Sequence, residues 1–190
     1  DKRDSSFFSE ITHVGNILNL NQLRKVFKDV SCVVLLAAEH ADNVLPISLY
    51  YDVNVEGMKN VLKCMTDFKV KNLIFTSSVA VYGLDRDNPH EGSVTAPFND
   101  YGESKLQAEK LAYSWYDDDK YNRSVLILRP TVVFGERNRG NVYNLFNQIY
   151  SKRFIMVGDG KNKKSMAYVG NVVDFLKHSI SNDFTGYNVY

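Results

Sequence analysis

Apolar and polar positions alternate between two rhythms along this chain. Cys32-Val33-Val34-Leu35-Leu36-Ala37 is an unbroken apolar run, and Leu73-Ile74-Phe75-Thr76 and Val125-Leu126-Ile127-Leu128 repeat the pattern. Runs without alternation suit strands covered on both faces. Between them the period changes. Leu20, Leu23, Val26 and Phe27 fall at helical spacing, as do Tyr50, Val53, Asn54, Gly57, Val61, Leu62 and Met65. Residues 104–116 read as a further long helix, and residues 11–14 as a weak strand. Strand, helix, strand, helix, strand with continuous apolar strands predicts an α/β doubly wound parallel sheet with helices on both faces. After Arg129 the rhythm shifts. A helix is expected over 141–150, a short strand over 154–157, a glycine- and lysine-rich loop over 158–164, a strand over 166–169 and a helix over 172–180. This part reads as the beginning of a smaller substrate region. The expected division is 1–135 for the parallel-sheet part and 136–190 for the smaller region, interleaved with the last elements of the sheet.

Composition narrows the classes. The 190 residues are 44% hydrophobic, too many for a disordered chain, and enough for one core. A formal net charge of +1 argues against a dedicated nucleic-acid binder. No apolar run approaches the roughly 18 residues of a membrane span. The chain opens on Asp1-Lys2-Arg3-Asp4, with neither an initiator Met nor the apolar stretch of a signal peptide, and ends on a strand-like Gly186-Tyr187-Asn188-Val189-Tyr190. The expectation is a segment of a longer protein. Cys32 and Cys64 are too few for a disulfide framework and read as buried thiols of a reducing cytoplasm.

Candidate chemistry gathers at the carboxyl ends of the strands, where open parallel sheets bind ligands. The strand over Leu73 to Thr76 runs into Ser77 and Ser78, three hydroxyls in a row that can bond a cofactor or a sugar, or simply start a turn. Tyr101 and Lys105 stand at i and i+4 on one helix face. An ammonium beside a phenol favours the phenolate, and a phenol so tuned is a general acid or base. Tyr116 and Lys120 repeat the spacing but precede Asp117-Asp118-Asp119 and read as a solvated helix end. His13, His90 and His178 have no metal-site spacing, and Tyr113, Trp115 and Tyr116 read as core.

Thr76-Ser77-Ser78-x-x-Val81-Tyr82-Gly83, then Tyr101-x-x-x-Lys105, then Leu128-Arg129-Pro130-x-x-x-Phe134-Gly135 resemble the extended short-chain dehydrogenase/reductases, the NAD-dependent sugar epimerases and dehydratases. Leu36-Ala37-Ala38, Asp52-Val53-Asn54-Val55-x-Gly57 and Gly158-Asp159-Gly160 with Tyr168-Val169 extend the likeness over the whole chain. Leu36-Ala37-Ala38-Glu39-His40, residues 48–55, residues 135–144 and residues 165–171 resemble a bacterial subgroup that acts as a 4-epimerase on N-acetylglucosamine diphospho-undecaprenol, in surface-polysaccharide assembly. Lys164-Ser165 and Gly170-Asn171 stand where the wider family has Arg-Asp and Asp-Asp.

The resemblance implies a Rossmann-like fold that lacks its N-terminal glycine-rich fingerprint, with NAD as cofactor. It implies Tyr101 as base, Ser78 as its hydrogen-bonding companion and Lys105 as the group that tunes the phenol. Asp1, Ala37, Ala38, His40, Asn54, Thr76, Ser77 and Pro130, with Tyr101 and Lys105, are the implied cofactor contacts. Arg137, Asn141 and Lys164 are implied for the substrate diphosphate, whose oxygens an arginine fork matches. No metal is implied. The implied enzyme is a cytoplasmic homodimer, peripheral to the inner face of the plasma membrane, that passes through a 4-keto sugar. The rivals are a soluble UDP-sugar epimerase, a nucleotide-sugar dehydratase and a non-catalytic NAD-binding scaffold. Val79 and Ala80 supply no carboxylate for dehydration, and a scaffold need not keep both Tyr101 and Lys105.

Overall fold

The structure, a computed structural model, describes residues 1–41, 43–84, 87–156 and 158–190. It divides into two compact units, residues 1–129 with 184–190, and residues 130–183.

The first unit is built on a four-stranded, wholly parallel sheet in the order β1 (Cys32–Leu35), β2 (Asn72–Thr76), β3 (Ser124–Leu128), β6 (Tyr187–Val189). The apolar runs are its strands. Leu73, Ile74, Val125 and Ile127 are wholly buried, and Leu73 pairs with both Val33 and Val125. Parallel neighbours need long connections, and helices supply them. α1 (Leu20–Val26) starts at Asn19, whose side chain accepts from Gln22 N. Between β1 and β2 run α2 (Ser48–Tyr51), a π-helical turn (Asp52–Glu56) and α3 (Gly57–Asp67). α4 (Asp100–Asp117) lies between β2 and β3. Met58, Val61 and Met65 of α3 and Ala108, Ala112 and Trp115 of α4 join the strand residues in one core. Both cysteines are free, with Cys64 inside this core and Cys32 half-buried on β1.

The second unit holds β4 (Val132–Phe134) paired in parallel with β5 (Met166–Tyr168), together with α5 (Asn141–Tyr150) and α6 (Val169–Ser181).

Four local expectations change. Residues 11–14 form no strand: Ser9–Ile11 is a short 3₁₀ turn, and Ile11 and Val14 stay exposed with no ladder to join. The first apolar run leaves the sheet after Leu35, so Leu36 and Ala37 are exposed beyond it. Residues 154–156 are not a strand, and Val157 lies outside the described residues. α4 begins four residues earlier than expected. Asn99 accepts from Gly102 N, and Asp100 and Glu103 sit favourably at the positive end of the helix dipole. Among the described residues no helix is long and apolar enough to cross a membrane.

Candidate active site

The end of β2 arranges three hydroxyls in three different ways. Thr76 Oγ1 donates to the Leu35 carbonyl at 3.0 Å and ties β2 to β1. Ser77 N donates to the Leu128 carbonyl at 2.7 Å, which turns the side chain inward. Ser77 is 4% exposed, and its Oγ has no hydrogen-bond partner, alone in this among the buried side-chain polar atoms described. An orphaned buried hydroxyl costs free energy unless something else bonds it. Ser78 is extended, and its Oγ accepts from Ala80 N at 3.1 Å, capping a 3₁₀ turn over Val79–Tyr82. Gly83 closes that turn at φ +85°, where a Cβ would stand 2.0 Å from the Ala96 carbonyl oxygen, so only glycine fits.

α4 brings the phenol to the serine. At Gly102 a Cβ would meet the Ala80 carbonyl oxygen at 2.7 Å and Pro97 Cβ at 3.0 Å. The missing side chain lets the first turn of α4 lie against the Ser78 turn. Tyr101, one residue before Gly102, carries its phenol to the neighbourhood of the Ser78 side chain. Burial raises the phenol pKa, the Ser78 side chain lowers it, and burial prevails. Ser104, wholly buried, donates to the Tyr101 carbonyl at 2.8 Å and accepts from Asn54 Nδ2 at 2.9 Å. Asn54, carried inward by the π-helical turn, also grips Glu39 N and the Glu39 carbonyl. Both amide donors of Asn54 are therefore engaged within the protein, and the side chain braces β1's exit loop against α4.

Lys105 is 2% exposed. Its Nζ donates to the Thr76 carbonyl at 2.6 Å and stands 4.4 Å from the Phe75 ring centroid. Burial pulls its pKa down to about 8, against the opposing pull of the Glu109 carboxylate. The Tyr101 phenol pKa is raised by burial, with Ser78 opposing it, while the Lys105 ammonium, in apolar surroundings, takes the nearby Thr76 carbonyl.

Asp1, Ala37, Ala38 and His40 line one cavity of about 690 Å³, together with Leu36 and Val53. Asp1 accepts from Arg3 N at 3.0 Å through one carboxylate oxygen. Pro130, Arg137, Asn141 and Lys164 belong to the second unit. Arg137 adopts a left-handed φ of +68°, exposed Asn141 opens α5, and Lys164 is exposed in the loop before β5. Trp115 is core as expected, whereas Tyr113 is half exposed and packs edge-on against Tyr187 at 5.1 Å. Lys120 falls beyond the end of α4, so the second Tyr–Lys spacing shares no helix face.

Sequence reasoning passed over Glu109 and Arg129. Arg129 Nε and Nη2 donate to Glu109 Oε1 and Oε2 at 2.9 and 2.5 Å, and the two side chains are 8% and 4% exposed. The available signal was the helical spacing of Tyr101, Lys105 and Glu109, which puts a carboxylate on a buried face where it needs a cation.

The sequence profile of the NAD dependent epimerase/dehydratase family matches residues 1–189. A relative from Escherichia coli O157:H7, N-acetyl-alpha-D-glucosaminyl-diphospho-ditrans,octacis-undecaprenol 4-epimerase, is 55% identical over all 190 residues, which cover 57% of its own length. A UDP-glucose 4-epimerase of Vibrio cholerae is 31% identical over 178 residues, 86% of this chain and 52% of its own. The chain thus spans a little over half the length of these curated relatives. Among solved structures, MoeE5 in complex with UDP-glucuronic acid and NAD superposes with a TM-score of 0.83 at 26% identity, covering 93% of this chain and 60% of that one. The UDP-glucuronic acid 4-epimerase of Bacillus cereus has the same fold at a TM-score of 0.80 and 22% identity, over 92% of this chain and 57% of that one. With the family profile matched over residues 1–189 of a parallel α/β fold, Ser78 beyond the end of β2 and Tyr101 and Lys105 on α4, the chain belongs to the NAD dependent epimerase/dehydratase family.

Proposed function

We propose that the full-length protein is an NAD-dependent sugar 4-epimerase interconverting N-acetylglucosamine and N-acetylgalactosamine on a diphosphate-linked undecaprenyl carrier. The observation that carries this reading is the meeting of the Tyr101 phenol with the Ser78 hydroxyl, one helical turn from a buried Lys105. The identity of the Escherichia coli relative, 55% along the whole chain, supports the choice of substrate.

Two features favour NAD. Ser77 Oγ is a buried hydroxyl without a partner, and the 690 Å³ cavity is walled by Asp1, Ala37, Ala38 and His40. A carboxylate such as Asp1 suits a ribose diol, and two alanines leave room for a flat ring system. Bound NAD supplies the hydride acceptor and donor at the sugar's C4. Tyr101, as phenolate, takes the proton of the C4 hydroxyl and returns it when the sugar presents its other face. Ser78 donates to the same oxygen and steadies it during the transfer. The Lys105 ammonium holds the Thr76 carbonyl and supplies the positive charge that a phenolate needs nearby. Arg137, Asn141 and Lys164 are proposed to bind the substrate diphosphate. The enzyme is proposed to work as a homodimer, and at the cytoplasmic face of the membrane.

The test is the full-length protein on N-acetylglucosamine diphospho-undecaprenol and, separately, on UDP-N-acetylglucosamine. Turnover of the lipid-linked sugar alone is expected, and turnover of the UDP-sugar alone would replace the reading with a soluble epimerase. Tyr101→Phe should then cost about 10²–10⁴-fold in turnover, the range for a positioned acid–base group. Undiminished activity in that variant would remove Tyr101 from the mechanism.

A further inference from the structure

The Glu109–Arg129 pair lies beside the Tyr101, Ser78 and Lys105 set, yet touches none of the groups assigned to substrate. Its connections are specific. Arg129 forks onto Glu109 with two hydrogen bonds. Its remaining Nη1 donates to Tyr82 Oη at 3.0 Å and to the Glu91 carbonyl at 3.4 Å, and the guanidinium lies 5.0 Å from the Tyr82 ring centroid. Tyr82 is the last residue of the turn that Ser78 caps. Glu109 is one turn from Lys105 and two from Tyr101 on the same face of α4. A single guanidinium therefore joins the end of β3, the Ser78 turn and the reactive face of α4.

We propose that Glu109, Arg129 and Tyr82 form a buried strut that holds the Ser78 turn in register with Tyr101 and Lys105, which makes all three positioning residues for the reaction. The inference rests on the reading of Tyr101 and Ser78 given above. Burial favours such a role, because a planar fork fixes both distance and angle where a point charge fixes only distance. The carboxylate also answers Lys105, whose other neighbours are the Thr76 carbonyl and the Phe75 ring. Among the described residues Tyr187 of β6 also senses the pair, and Tyr50 packs its ring 6.3 Å from Tyr101.

The experiment uses the full-length protein carrying tyrosine labelled with ¹³C at Cζ, the Tyr101 resonance being assigned by its loss in Tyr101→Phe. Tyr82→Phe removes one hydroxyl and leaves the ion pair, so the fold stands; Glu109→Gln removes the charge. Loosening the Ser78 turn moves away the side chain that lowers the Tyr101 pKa, so the phenol should titrate at higher pH in both variants than in the wild type. Turnover of the lipid-linked sugar should fall about tenfold in Tyr82→Phe, a fraction of the 10²-fold that a 1 Å misplacement can cost, with KM unchanged within about twofold. An unmoved Tyr101 titration in Tyr82→Phe would overturn the strut, whatever Glu109→Gln does to folding. If the wild type turns over neither sugar, the functional reading falls, while the Tyr101 titration still decides the strut.

Discussion

Burial presses on Lys105 and Tyr101 in opposite senses and leaves each closer to neutrality. The Lys105 pKa falls from 10.5 to about 8, and that of Tyr101 rises. The lysine shift has a consequence for stability whose sign can be worked out. Between about pH 8 and 10.5 the unfolded chain holds more protons at this position than the folded one, so the contribution of Lys105 to stability rises with pH across that window. Lys105→Met has no such group. In matched denaturant titrations, the stability of the wild type relative to Lys105→Met should therefore climb from pH 8 towards pH 10. A gap that stays constant over the same range would mean that the amine is not held in an apolar site. At neutral pH the ammonium persists because the Glu109 carboxylate opposes the desolvation.

At the scale of elements, the site depends on how closely the first turn of α4 approaches the Ser78 turn. In an isolated helix, alanine is better than glycine by about 1 kcal/mol. At Gly102 the tertiary contact reverses that preference, because a Cβ 2.7 Å from the backbone oxygen of Ala80 must push one element away. Gly102→Ala is expected to lower both the thermal midpoint and turnover, with turnover lost by about tenfold or more if the shift approaches the 1 Å that costs about 10²-fold. Unchanged or improved stability in that variant would show that the two turns are free to separate. The π-helical turn over Asp52–Glu56 has a comparable role. Such turns interrupt helices at functional sites, and this one delivers Asn54 to Ser104 and to the backbone of Glu39.

For the molecule as a whole, the proposed cofactor site is the cavity against the β1 edge and its exit loop. Exposed Ala37 lines it without supporting the core. Ala37→Leu should thus weaken NAD binding by the full-length protein in calorimetric titration while leaving the thermal midpoint where it was. Equal affinity would place the cofactor elsewhere. The kind of each major element was legible along the chain. Val125 to Leu128 is too short and too uniformly apolar to be anything but a covered strand, and the residues that recur at helical spacing in α3 pack into the core. The Tyr101, Lys105 and Ser78 set was legible too, since strand end and helix face follow from local period and order. Local pattern carries no information about which distant group a buried charge will find. Lys105 bonding to the Thr76 carbonyl, Glu109 clasping Arg129 across 20 residues, and β6 closing onto β3 from the far end of the chain all depend on desolvation and packing. Those terms exist only once the sheet has assembled, because a charge or an unpaired strand edge is costly only where water has been removed.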